Sequence, residues 1–152
     1  MTFFQTVSQF YSDYSRKKCY ERNCELKIDI DKEYIILDGD SLIKEKSSDC
    51  IIIVETNHCL YIIIAELKNK SAKAKEVIEK LENGSKVVKT IVEEYCSKNI
   101  KKSYYPLVLS KGWRHYSEIK IIKNISISIS GKKHPILPVS CGYHLSRLLR
   151  TK

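Results

Sequence analysis

Two runs of isoleucine separated by a short polar loop constrain this chain more than any other feature in it. Ile51-Ile52-Ile53-Val54 leads into Thr56-Asn57-His58-Cys59, and Ile62-Ile63-Ile64-Ala65 follows, the whole stretch opening at Asp49 and closing on Glu66-Leu67-Lys68. Such β-branched runs suit strands buried on both faces of a sheet. Asn57-His58 suits a two-residue hairpin loop, because Asn tolerates the positive φ of a type I′ turn. If Thr56 faces Cys59, equal steps outward bring Asp49 opposite Glu66, with their Cβ atoms about 5 Å apart on one face. Lys68 projects from the same face, since side chains two apart along a strand point the same way. Like charges this close repel unless a proton or a cation lies between them. A hard divalent ion, magnesium or manganese, is a natural filler because it takes carboxylate and carbonyl oxygens.

An acid on one strand of a hairpin and Glu-x-Lys on the next resembles the signature of the PD-(D/E)XK nuclease superfamily. These are the restriction endonuclease-like proteins, among them the archaeal Holliday junction resolvases. Asp49 matches the first acid, Glu66 the second and Lys68 the lysine, while Ser48 stands where a proline is usual and the interval to Glu66 is long. Glu25-Leu26-Lys27 and Glu118-Ile119-Lys120 repeat the spacing, but only the middle copy follows a fully apolar strand and pairs in register with an aspartate. By order of elements the resemblance covers roughly residues 20 to 110.

The resemblance implies an α/β fold with a restriction endonuclease-like core, a central mixed sheet flanked by helices on both faces. It also implies metal-dependent hydrolysis of phosphodiester bonds, in DNA above all. Asp49, Glu66 and the backbone carbonyl of Leu67 would hold Mg2+ or Mn2+, and Lys68 would orient water or balance charge. Related nucleases often add a glutamate from their first helix. Glu21 fits that role if the opening helix runs to about Arg22, and Glu25 if it runs longer. Many nucleases of this fold cut both strands as dimers, so a homodimer fits the resemblance.

Helical spacing of Phe3, Val7, Phe10 and Tyr14 is the basis for that opening helix. Leu26 to Ile30 and Tyr34 to Leu37 read as a first hairpin, and Asp38-Gly39-Asp40 as a turn whose Asp40 is either turn chemistry or a further metal oxygen. Asn69-Lys70-Ser71 offers an N-cap to a long amphipathic helix marked by Val77, Ile78, Leu81, Val88, Ile91, Val92 and Tyr95. Gly84 falls within its stripe, either to allow close packing or to interrupt it. That helix crosses over to a parallel strand at Leu107-Val108-Leu109, opened by Pro106, in a right-handed βαβ unit. Lys111-Gly112 reads as a turn. Ile125, Ile127 and Ile129 alternate with serines into a small basic C-terminal β-hairpin, and Tyr143 to Leu149 forms a short final helix. His58 sits at the hairpin tip, about 30 Å from Asp49 along the extended strand, too far to join it.

At 152 residues the chain fits one domain, 1–152, large enough for a core without staples. No apolar run reaches the length of a membrane span, and Met1-Thr2-Phe3-Phe4-Gln5 lacks the pattern of a secretion signal, so an intracellular, cytoplasmic protein without a membrane partner is expected. Net charge is +9, and residues 98–152 hold 12 basic side chains against one acid, Glu118. Such a surface attracts the phosphates of nucleic acid, though it also fits a solvated lysine coat. Lys111, Trp113, Arg114, Lys132 and Lys133 are the candidates to grip it, with Trp113 equally suited to fill core.

Cys19, Cys24, Cys50, Cys59, Cys96 and Cys141 include no Cys-x-x-Cys pair, which favours buried thiols. A zinc site from Cys19, Cys24, Cys141 and His144 is conceivable, and disulfides would require an oxidising compartment or a hyperthermophile. Two other functions stay open: a nuclease-like scaffold that binds nucleic acid or protein without cutting, and a metal-independent RNA endonuclease built on His115, Tyr116 and Lys120.

Overall fold

The computed structural model describes residues 2–43, 47–96, 99–113 and 115–149. Thr2 caps helix α1 (Phe3–Phe10) in a reciprocal capping box with Gln5. A 3-10 turn, Ser12–Tyr14, leads to β1 (Ser15–Arg16), β2 (Cys19–Glu21), β3 (Cys24–Leu26) and β4 (Glu33–Asp38). A one-turn helix, α2 (Gly39–Leu42), precedes β5 (Cys50–Glu55), β6 (Cys59–Ala72), the long α3 (Ala74–Tyr95) and β7 (Lys101–Trp113). The chain closes through α4 (Tyr116–Lys123), β8 (Ser126–Ile129), β9 (Lys132–Pro135), β10 (Leu137–Ser140) and α5 (Leu145–Leu148).

Six strands make one mixed sheet in the order β1-β4-β5-β6-β7-β10, so the fold is α/β as expected. β4, β5 and β6 are antiparallel neighbours, while β6, β7 and β10 run parallel. α3 is the crossover between β6 and β7. Cys50 pairs with Ala65 and Glu55 with Leu60, the register counted outward from Thr56 and Cys59. The loop itself differs from expectation, because neither Asn57 nor His58 takes positive φ. Thr56 Oγ1 instead accepts the Cys59 N–H at 3.1 Å, and this side-chain anchor replaces type I′ geometry.

The isoleucines of β5 and β6 are all at most 1% exposed, and burial of each contributes roughly 1.5–3 kcal/mol. Alternate residues feed two cores. Ile51, Ile53, Ile62 and Ile64 pack under α1, α3, α4 and the β8–β9 hairpin, whereas Ile52, Val54, Ile63 and Ala65 pack under the β2–β3 hairpin and α5. Gly84 lets α3 run unbroken and close against the sheet: a Cβ there would collide with Ser48 Oγ and stand 2.9 Å from Ile64 Cγ2. At the start of α3, Glu118 of α4 accepts the Ala74 N–H at 2.6 Å, a cap supplied from outside the helix.

Several sequence expectations need correction. α1 ends at Phe10, because the following chain turns to pair Ser15 and Arg16 with Leu37 and Ile36 along the open edge of β4. The first hairpin is β2–β3, joined by Arg22 and Asn23 at positive φ, rather than 26–30 with 34–37. Asn69 to Ser71 continue β6, whose ladder with β7 resumes after a register shift, so the N-cap falls to Lys73. Lys111 and Gly112 are strand, and Pro106 lies inside β7, where β10 begins pairing only at Leu107. Among the described residues α1, α3 and α4 cover one face, and the short α5 with the β2–β3 hairpin covers the other.

The cysteine expectation is also overturned. Cys19 is bonded to Cys50 and Cys24 to Cys141, which rules out buried thiols and zinc at these positions. Both bonds tie the β2–β3 hairpin to the sheet, at separations of 31 and 117 residues that spacing alone cannot pair. Cys59 remains a buried thiol. No helix among the described residues is long and apolar enough to cross a membrane.

Candidate active site

Asp49 lies just before β5, and its Oδ2 accepts the Leu67 N–H at 2.8 Å. The carboxylate thereby extends the β5–β6 ladder beyond its last pair. A residue's N–H and C=O leave a strand by the same edge, so the Leu67 carbonyl belongs to the Asp49 side. Glu66 shares the face of Ile64 and is fully buried beneath α3. Its Oε2 lies 3.1 Å from Lys80 Nζ and 3.5 Å from Lys68 Nζ, yet neither carboxyl oxygen accepts a well-directed hydrogen bond. Lys68 also reaches Glu76 on α3, at 3.9 Å. The ladder irregularity after Lys68 falls directly beyond this cluster, as bulges beside active sites often do.

Burial, and then the neighbouring Asp49, push Glu66 up to about 8 against the pull of Lys80 and Lys68. Glu66 therefore holds its proton more tightly than an ordinary glutamate does. Burial works against the Lys80 ammonium, but Glu66, with Asp49 and Asp40, outweighs it and raises its pKa. Asp40, at the first turn of α2, is raised by burial and by the charge of Asp49, which places it in the same electrostatic neighbourhood. Ser47 and Ser48 beside it are fully buried with unpartnered hydroxyls. A buried carboxyl group next to a second one suits a hard divalent ion. Among the described residues no group of three or more His, Cys, Asp and Glu side chains is placed to hold a metal ion.

The structure thus brings together Asp49, Glu66 and Lys68, and adds Lys80, which sequence reasoning missed. A signal was present: Lys80 stands three residues after Val77 and four before Gly84, within the buried stripe of α3. Glu21 is a correction. It belongs to β2 on the opposite side of the sheet, where it lies 3.9 Å from Arg16, and Arg16 in turn lies 3.4 Å from the Asp49 backbone carbonyl. Its link to the site is that relay, because the helix meant to carry it stops at Phe10. Glu25, its alternate, lies on the same hairpin.

The nucleic-acid candidates divide. Lys111 is exposed on β7 next to Ser110, which pairs with Lys68. Trp113 is half-buried against the helix-side core and pairs with Ala72, so it fills core. Lys132 and Lys133 lie on β9, whose His134 packs edge-on against Tyr104, about 20 Å back along β7 from Ser110. Arg114 lies outside the described residues. His115 and Tyr116 are exposed at the start of α4, with Lys120 stacked over the Tyr116 ring at 4.9 Å. His144 bonds Asp29 at 3.0 Å instead of facing a metal.

Comparison of the chain with family models, with curated proteins and with solved structures gives no match.

Proposed function

We propose that the protein is a metal-dependent endonuclease that hydrolyses phosphodiester bonds, with DNA as substrate. The observation that carries this reading is Glu66, a fully buried carboxyl group set beside Asp49 and between the ammonium groups of Lys80 and Lys68. Burying such a group costs stability, and a merely solvated strand end would leave it in water. The order of elements supports the same reading: the acid at β5, Glu-x-Lys on β6, a crossover helix and a parallel β7, which we assign to the restriction endonuclease-like core.

Mg2+ or Mn2+ held by Asp49, Glu66 and the Leu67 carbonyl would supply Lewis-acid activation of phosphate and water. The protein's own groups do the rest. Leu67 N–H fixes the Asp49 carboxylate, and Lys68 places positive charge where a phosphate oxygen gains negative charge. Lys111, at the adjoining end of β7, meets the backbone of the substrate.

Labelled duplex, junction and single-stranded DNA, with RNA alongside, should be incubated with Mg2+ or Mn2+ and the purified protein. Cleavage that EDTA stops and that Glu66→Gln reduces at least about a hundredfold is the expected result. Full activity in Glu66→Gln removes the site assignment. Cleavage that survives EDTA points instead to RNA chemistry at His115, Tyr116 and Lys120, and no cleavage of any substrate points to a binding scaffold.

A further inference from the structure

Lys80 has no part in that mechanism, yet its ammonium lies nearer to Glu66 than that of Lys68 does, at 3.1 against 3.5 Å. Lys68 is shared with Glu76, whereas Lys80 faces Glu66 with Asp49 and Asp40 also acting on it. With every group ionised, the carboxylates of Asp40, Asp49, Glu66 and Glu76 against the two lysines leave two negative charges, which a single divalent cation balances. The Lys80 ammonium thus stands against the same oxygens that a metal ion would take. Its backbone is held firmly, since α3 is seated on the sheet through Gly84 and capped by Glu118. Its side chain is partly open to solvent, at 23% exposure, so the four-carbon stem has room to swing aside.

Building on the metal site of the nuclease reading, we propose that Lys80 is a tethered cation occupying the seat of the divalent ion, so that metal enters only as the ammonium leaves Glu66. A single and a double positive charge a few ångströms apart repel strongly in a partly buried site, which lowers metal affinity by more than about tenfold. Removing the lysine charge therefore tightens metal binding, where a purely structural salt bridge would loosen it.

Calorimetric titration of the full chain with Mn2+ tests this. Lys80→Met should bind Mn2+ at least about tenfold more tightly than wild type. Lys80→Arg, which keeps the charge, should stay near wild type, and Lys68→Met should shift less because Glu76 already draws that ammonium away. The Mn2+-induced rise in Tm should follow the same ranking. Lys80→Gln, which leaves Glu66 a polar partner, takes the place of Lys80→Met if the latter does not fold. Unchanged or weaker Mn2+ affinity in the neutral variants overturns the inference, as does an arginine variant that behaves like methionine. Unchanged affinity with cleavage that still depends on Glu66 overturns the tethered cation and leaves the nuclease reading standing. Tighter binding without cleavage of any substrate does the reverse.

Discussion

On the α3 side of the sheet, no disulfide among the described residues fastens α1, α3, α4 or the β8–β9 hairpin, and the layer ends in a cluster of buried charge. On the other side a hairpin of two three-residue strands is fastened by two disulfides, and no comparable charge is buried there among the described residues. The two meet at consecutive residues. Cys50 turns toward the hairpin and Asp49 toward α3, so one side chain anchors the strand end while its neighbour is free for chemistry. The contrast teaches that an unfavourable site is affordable where the strand that bears it is fixed from behind.

The largest way to break this comparison is Glu66→Gln, which should abolish metal-dependent cleavage in a gel assay while leaving the fold intact. Next comes removal of the disulfides. Replacing either pair by serine should cost about 2–4 kcal/mol in urea unfolding. The comparison sharpens if loss of Cys19–Cys50 also impairs Mn2+ binding, since it lies beside Asp49, whereas loss of Cys24–Cys141 leaves metal binding near wild type.

Titration gives a further handle. Glu66 has an ordinary value of 4.5 and is raised to about 8 in the folded chain, so between those values unfolding releases its proton. The stability this provides is complete below pH 4.5 and is lost as pH rises through about 8, by a few kcal/mol at most. Urea midpoints measured at pH 5 and pH 9 should show the decline in wild type, and Glu66→Gln should flatten it. Smaller still, Gly84→Ala should cost about 1–3 kcal/mol by forcing α3 off Ser48 and Ile64. Gly112→Ala, where an added Cβ meets nothing within 4 Å, is the matched control and should shift the Tm little.

What could be read from the chain followed from local rules. Apolar runs and a loop of known length set the Asp49–Glu66 register, and the stripe of α3 set the crossover. What could not be read depended on distant partners. Helical spacing of Phe10 and Tyr14 was a false lead, for Phe10 is 60% exposed and the open edge of β4 claimed the next residues. Disulfide pairing depends on which face the hairpin covers, and the place of Lys80 beside Glu66 depends on how α3 is seated. The polar stretch after Lys68 mimicked a cap because nothing local reveals that β7 runs on far enough to pair with it.

Glu118, the lone acid among the basic residues from 98 onward, caps α3 from α4. The helix that carries Glu76 and Lys80 therefore takes its first anchor from the far end of the chain. A protein cut short after Trp113 would lose more than its positive surface: the first turn of α3 would fray, and the ammonium at Glu66 would lose its fixed mount.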